Sequence, residues 1–423
     1  MARYIVKFGG TSLANTDRIQ HAAGIVVEYV NAGHEVAVVV SAMAGITNQL
    51  IGYANTLSIN VFDAFDTNAR DEQLSECDVV TASGEQITAG LMALALQKSG
   101  LNAQSFLAWQ IAIETDDNHG DAHITHIATD QLEDCFARGI IPVVAGFQGL
   151  TTHNRVTTLG RGGSDTTAVV LAAALDANSC YIYTDVEGVY TADPRIVPNA
   201  RKIDVISYPE MLEFAMQGAK VLHTRSVELG MLHEVDIHVL SSFVRATGTR
   251  IIVGEATDQI NGITHSLNDV HVRITGASEL TCVLDVLNQA NICLDTVMHV
   301  VNPDYSASLD FTFKKSDLVQ AKSILSGLKV SYGFDTLAID LNIVKISIIG
   351  VGVRRDQTIE SRVLSVLKAH QISVQLASCS DVKLSLVIAH DQMTKAMGVL
   401  HDTLIINEKE NTELRDLNDH KCR

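Results

Sequence analysis

From residue 3 to about residue 245, short β-branched runs alternate with longer amphipathic or alanine-rich stretches, which predicts an α/β fold: a mostly parallel sheet sandwiched by helices. Tyr4-Ile5-Val6-Lys7-Phe8, Glu35-Val36-Ala37-Val38-Val39-Val40 and Ile140-Ile141-Pro142-Val143-Val144-Ala145 read as strands, and Tyr181-Ile182-Tyr183 opens another. Helices are predicted near 17–32, 84–99, 128–138 and 165–175. The polar segment 246–262, carrying Gly248, Gly254 and Gly262, ends this domain (1–245) and reads as a linker.

Beyond it the pattern repeats. Val283-Leu284-x-Val286-Leu287 matches Val363-Leu364-x-Val366-Leu367, and Ile292 matches Ile372, all 80 residues apart. The opening strands Val272-Arg273-Ile274 and Ile346-Ser347-Ile348 are offset by 74, so the loop before the second helix is longer. Two small α+β modules of the form strand, helix, strand, strand are expected at 263–341 and 342–406. The strand at 262–267 has the choice of pairing with either. The polar stretch 407–423 reads as a frayed tail.

Composition narrows the function classes. The chain has 423 residues, 47% of them apolar, enough for packed cores in two or three domains. Lys and Arg total 31 against 49 Asp and Glu, a formal charge of −18, which repels phosphate backbones and anionic lipid. Neither nucleic acid nor membrane is expected as a partner. No apolar run approaches the ~20 residues of a membrane span. Met-Ala-Arg-Tyr leads straight into a strand pattern, so a cytoplasmic location is expected. Seven cysteines without C-x-x-C spacing read as free thiols, mostly buried.

Candidate chemistry sits in three motifs. Lys7-Phe8-Gly9-Gly10-Thr11-Ser12 runs from strand through a glycine pair into a helix. Such a turn lets backbone N–H groups close on phosphate oxygens while the lysine supplies a point charge, although two-glycine turns also serve plain structure. Gly160-Arg161-Gly162-Gly163-Ser164-Asp165 places a guanidinium, three glycines and an N-capping Ser164 or Asp165 at one helix N-terminus. Anions are favoured there, and Arg161 has the geometry for a carboxylate. Tyr183-Thr184-Asp185 through Tyr190-Thr191-Ala192-Asp193-Pro194-Arg195 follows a strand end, where open α/β sheets bind ligands.

Taken in order, these motifs resemble the amino-acid kinase superfamily and, more closely, the aspartate kinases. Val40-Ser41-Ala42-Met43, Ser83-Gly84-Glu85, His119-Gly120, Ala145-Gly146-Phe147-Gln148-Gly149 and Gly218-Ala219-Lys220-Val221-Leu222-His223 extend the match to about Arg225. The C-terminal repeat resembles the paired ferredoxin-like ACT domains with which such kinases sense amino acids. The resemblance implies transfer of the ATP γ-phosphoryl group to the side-chain carboxylate of L-aspartate, the first step of the aspartate-family amino-acid pathway. It implies Lys7 on the β- and γ-phosphates with Asp165 organising it, Gly9 and Gly10 wrapping the phosphates, and Ser41 near phosphates and substrate. Thr47, Glu85, Arg161, Gly162, Gly163 and Ser164 are implied for aspartate, with Glu85 pairing its ammonium. Tyr183, Thr184, Asp185, Val189, Tyr190, Asp193, Arg195 and Lys220 match the nucleotide-site segments. Mg²⁺ would travel on ATP oxygens and water, so no protein metal ligand is assigned.

Several features qualify that picture. His119, His123 and His126 read as loop and surface residues rather than a metal site, and Asp71, Glu72, Glu76 and Asp78 read as a solvated helix face. The ACT-like modules lack the family's acidic-x-Pro-Gly turn, and His299-Val300 stands where a Gln-Asn pair is usual. Feedback by lysine or threonine is therefore expected to be weak, absent or redirected to another amino-acid effector. The modules would then serve mainly assembly of a homo-oligomer, a dimer or higher. The competing readings are another carboxylate or nucleoside-monophosphate kinase of the superfamily and a non-catalytic amino-acid-sensing subunit. The tandem ACT-like repeat and the Ser83-Gly84-Glu85 segment speak against the first, and intact Lys7, Arg161 and Asp165 against the second.

Overall fold

The computed structural model describes residues 1–57, 67–218, 221–254, 260–277, 280–301, 307–356 and 358–406, so the tail 407–423 and Lys220 lie outside the described residues. The chain divides into two units, the first containing Met1–Val189 and Lys202–Ala215 with 221–254, the second containing Tyr190–Arg201, 216–218 and the described residues from 260 onward.

An eight-stranded sheet organises the first unit, in the order Val205–Ser207, Thr249–Ile252, Ile237–Ser241, Ser179–Thr184, Arg3–Phe8, Glu35–Val40, Ile141–Ala145 and Ala103–Phe106. Its central pairings are parallel, and only Ile237–Ser241 against Thr249–Ile252 is antiparallel. Val36 to Val40 are all buried because helices cover both faces, which is why these strands read as unbroken apolar runs. Val6, Phe8, Val38 and Val40 pack with Ile19 and Val26 of helix Thr16–Asn31 and with Met92 and Leu96 of helix Thr67–Lys98. Each such side chain contributes roughly 1.5–3 kcal/mol on burial. A smaller sheet joins Ile124–Ile127, Ile113–Thr115, Gln148–Leu150 and Val156–Thr158.

The structure corrects several expectations. The helix expected at 84–99 starts at Thr67, because the polar stretch preceding Gly84 is helical too. Asp71–Lys98 is long and apolar enough to span a membrane by length and composition, yet Ala89, Met92, Ala93 and Leu96 form part of the core. Thr249–Ile252, inside the expected linker, is a strand of the large sheet, since Ile251 is fully buried. Among the described cysteines only Cys135 and Cys180 are buried, while Cys293 and Cys379 are exposed.

In the second unit the first module is complete as βαββαβ: Asp269–Ala277, Thr281–Gln289, Leu294–Val301, Ala307–Lys314, Leu318–Tyr332 and Thr336–Asp340. The second runs from Ile343–Ile349 through Ile359–Ala369, Val374–Cys379 and Lys383–Ala389 to Met393–His401. Its fourth strand is Gly262–Ser266, antiparallel to Ile343–Ile349. That strand, grouped with the first module from its place along the chain, thus completes the sheet of the second. Ile263 lies in the core with Val344, Ile346 and Ile348, and its N–H donates to the Thr191 carbonyl (2.7 Å). Lys345, with no solvent exposure, contacts Asp269 (3.1 Å) and Asp295. Lys314 and Lys383 flank the same two carboxylates.

Candidate active site

The C-terminal ends of Arg3–Phe8, Glu35–Val40, Ile141–Ala145 and Ser179–Thr184 meet in the first unit, so the loops that follow converge. Lys7, only 7% exposed, lies second from the end of its strand and forms an ion pair with Asp165 in the first turn of helix Gly163–Ala174. The Gly9 N–H donates to the Tyr183 carbonyl (3.0 Å), fixing the glycine turn to the neighbouring strand. A Cβ at Gly10 would approach the Ala42 carbonyl to 2.9 Å, so only glycine lets this turn close on the 41–44 loop. Ser41 enters that loop with its N–H on the Phe8 carbonyl (3.2 Å).

Helix Gly163–Ala174 is capped by Gly162 in the left-handed conformation (φ 71°), with no side-chain cap. Ser164 and Asp165, expected as N-caps, instead lie inside the first turn. The Gly163 N–H donates to the Gly160 carbonyl (3.1 Å), and with no side-chain cap the helix dipole at this end favours an anion. A Cβ at Gly162 would meet His223 Cβ at 2.2 Å, and one at Gly163 would meet Phe147 Cδ2 at 2.7 Å. Ser164 is buried against Gly146, while Arg161 is exposed and has no salt-bridge partner among the described residues.

Glu85 comes in from helix Thr67–Lys98, 3% exposed. Its Oε1 accepts the Ala42 N–H (2.9 Å), and its Oε2 is buried without a hydrogen-bond partner. Burial pushes its carboxyl up to about 7, against the opposing effect of the Ala42 N–H. Thr47, half-buried, stands at the start of helix Ile46–Leu57, after the same loop.

The nucleotide residues divide. Thr184 and Asp185 are at the strand end, with Thr184 Oγ1 donating to Asp185 (3.1 Å). Val189 is buried, and its N–H donates to Thr249 Oγ1 (2.8 Å). Tyr183, however, turns its ring into the core: it stacks on Phe8 with centroids 5.1 Å apart, and its hydroxyl meets that of Tyr29 (2.8 Å). Stacking on a nucleobase is thus not the role its ring has here. Tyr190, Asp193 and Arg195 belong to the second unit, where Asp193 and Arg195 form a self-contained turn paired at 2.7 Å.

The structure also identifies residues that motif reading passed over. Phe147 adopts φ 70° and packs on Gly163, and His223 backs Gly162; burial, with help from Arg225, lowers the His223 pKa. Both lie in segments already quoted for their resemblance, which was the available signal. Asp78, read as solvated, is 2% exposed and bonded to His119, Gly120 and Thr158. Among the described residues no three His, Cys, Asp or Glu side chains cluster as metal ligands, and His119 and His123 direct Nδ1 to Asp78 and Asp116.

Comparison with known proteins adds identity to this geometry. Residues 2–241 match the model of the amino acid kinase family, and residues 346–404 match an ACT domain. An aspartokinase from Rickettsia bellii is 42% identical over 413 residues, covering 96% of this chain and 99% of the relative. Aspartokinase 2 from Bacillus subtilis is 38% identical over 417 residues, with 96% and 99% covered. The structure of E. coli aspartokinase III in complex with aspartate and ADP, in its R-state, has a TM-score of 0.77 to this fold at 25% identity, covering 95% of this chain and 99% of that one.

Proposed function

We infer the activity from membership: this chain belongs to the amino acid kinase family and, within it, to the aspartokinases. It transfers the γ-phosphoryl group of ATP to the side-chain carboxylate of L-aspartate, giving 4-phospho-L-aspartate and ADP. An attacking carboxylate is ionised at neutral pH and needs no general base. A carboxylate oxygen forms the new bond to the γ-phosphorus while the bond to the β–γ bridging oxygen breaks, its electron pair leaving on ADP. The obstacle is repulsion between anions, so catalysis rests on positioning and charge neutralisation.

We assign Lys7 to the β- and γ-phosphates, held in place by Asp165, with Gly9, Gly10, Ser41 and the uncapped N-terminus at Gly162–Ser164 around the phosphate oxygens. Thr184, Asp185 and Val189 line the nucleotide end. Arg161 takes a substrate carboxylate, Thr47 borders the pocket and Glu85 takes the ammonium. The single observation that supports this substrate most is Glu85: a buried carboxylate oxygen without a partner suits a cation, and an N-acylated substrate has none. A divalent cation carried on ATP would supply further charge neutralisation, with no protein ligand assigned.

The site lies in a cytoplasmic enzyme on this reading. An amino-acid effector would act through the ACT-like modules, with lysine or threonine feedback weakened where His299 and Val300 replace amides. Assembly through those modules is supported by Leu294–Val301, an edge strand exposing Val297, Met298 and Val300 at about 40% each. The test is ATP-dependent acyl-phosphate formation trapped with hydroxylamine, using L-aspartate, L-glutamate, N-acetyl-L-glutamate or no acceptor. Signal with aspartate, unchanged by millimolar lysine or threonine, is expected. Silence from folded, ATP-binding protein would refute the activity, and strong inhibition by either amino acid would refute the weakened feedback.

A further inference from the structure

We propose that Asp78 is a positioning residue that sets the distance between the two charged anchors of the substrate, Arg161 and Glu85; this rests on the substrate assignment above. Asp78 and Glu85 lie seven residues apart on helix Thr67–Lys98, two turns and roughly 10 Å along one face. Glu85 is fixed at its end, because Gly84 packs so closely on Ala42 that an added Cβ would come within 2.8 Å of the Ala42 Cβ. Asp78 fixes the other end to the arginine loop. Its Oδ1 accepts from Thr158 Oγ1 (2.5 Å), three residues before Arg161. Its Oδ2 meets His119 Nδ1 (2.8 Å) and accepts the Gly120 N–H (3.0 Å).

The residues so held are the bed of the arginine loop. Gly160 has φ 70° and lies so close to the 120–121 turn that a Cβ would meet Asp121 Oδ1 at 2.4 Å and the Gly120 carbonyl at 3.2 Å. From the opposite side Arg225 donates to the Leu159 carbonyl (2.8 Å) and to Asp121 (2.8 Å). The loop carrying Arg161 is therefore clamped, and Asp78 links that clamp to the helix that carries Glu85. A carboxyl with 2% exposure and three hydrogen-bond partners has no solvated role, and none of those partners, His119, Gly120 and Thr158, is assigned to ATP. Its chemistry is a ruler for a short zwitterionic dicarboxylate.

The test uses Asp78→Ala, Asp78→Asn and Thr158→Val in the full chain, with kcat, KM for aspartate and ATP, the aspartate-to-glutamate preference and thermal melting. Because misplacement by about an ångström costs up to about a hundredfold, Asp78→Ala should raise the aspartate KM by about tenfold to a hundredfold and narrow the preference over glutamate. The ATP KM should stay unchanged. Thr158→Val, which removes one bond only, should shift the same parameters less, and Asp78→Asn should restore part of the loss. An unchanged aspartate KM in a folded variant, or a parallel rise in both KM values, overturns the proposal. If Asp78→Ala does not fold, Thr158→Val decides alone by the same criteria. A wild type without aspartate-dependent turnover overturns the substrate assignment itself, and an active wild type with unmoved variants overturns only the role of Asp78.

Discussion

Lys7 and Lys345 are both buried lysines paired with aspartates, yet their surroundings differ in kind. Lys7 contacts one carboxylate, Asp165, under a turn of two glycines and opposite a helix N-terminus without a side-chain cap. Lys345 is fully enclosed between Asp269 and Asp295, with Lys314 and Lys383 on the same carboxylates. The first pair leaves an ammonium beside a glycine turn and a helix end without a side-chain cap; the second consumes its charge internally and ties two strands of the first module to one of the second. Burial of a lysine therefore does not mark a catalytic group. The assignment of Lys7 rests instead on the glycine turn and helix end beside its charge.

The comparison is broken most severely at Lys7. Lys7→Met should lower turnover by about 10³-fold, the scale of losing one preorganised transition-state donor, while the melting transition stays cooperative. At Lys345 the expected loss is of stability. Removing one partner of a buried pair costs about 3–5 kcal/mol, so Lys345→Met should unfold the second unit at much lower urea, as read by denaturant titration. Burial pushes the Asp269 and Asp295 carboxyls up, but the charge of Lys345 together with Lys314, the Ser266 hydrogen bond to Asp269 and Lys383 beside Asp295 outweighs it, and both are held below the ordinary range. With folded values below unfolded ones, their stabilisation is present at neutral pH and is lost as pH falls through the acidic range. Lys345→Met should weaken that acid dependence.

Glu85 sharpens the contrast from the substrate side. With its carboxyl raised to about 7, it is largely neutral in mildly acid solution and cannot pair an ammonium. The value of kcat/KM for aspartate should rise as pH increases toward about 7 and then level. Glu85→Gln should remove that limb and raise the aspartate KM, as steady-state pH profiles would record. The smallest effect is expected at Gly162, where alanine adds left-handed strain and a contact with His223. Gly162→Ala should cost about 1–3 kcal/mol in kcat/KM or stability, measured by kinetics beside melting.

Much of this was legible in the sequence. Unbroken runs such as Val36 to Val40 announced strands covered on both faces, and the 80-residue offset announced the paired modules. Lys7, Gly9, Gly10 and the Gly160–Asp165 loop announced themselves through glycine-rich turns placed where a strand end meets a helix start. What stayed hidden depends on pairing between distant segments. Gly262–Ser266 has no local feature that selects the sheet it joins; the choice is made by Ile263 fitting the second module's core. Asp78 resembles its solvated neighbours in composition, and only the approach of His119, Gly120 and Thr158 shows it to be internal. Tyr183 matches a nucleotide-site segment by resemblance, and only the fold shows that its ring packs on Phe8 and its hydroxyl meets that of Tyr29.

The most direct test of the account is turnover of Lys7→Met and Lys345→Met side by side, as hydroxylamine-trapped aspartyl phosphate, at a temperature where both chains are folded. The account predicts that Lys7→Met is nearly silent and that Lys345→Met retains the activity of the unaltered chain. Equal losses in both, or a loss confined to Lys345→Met, would contradict it.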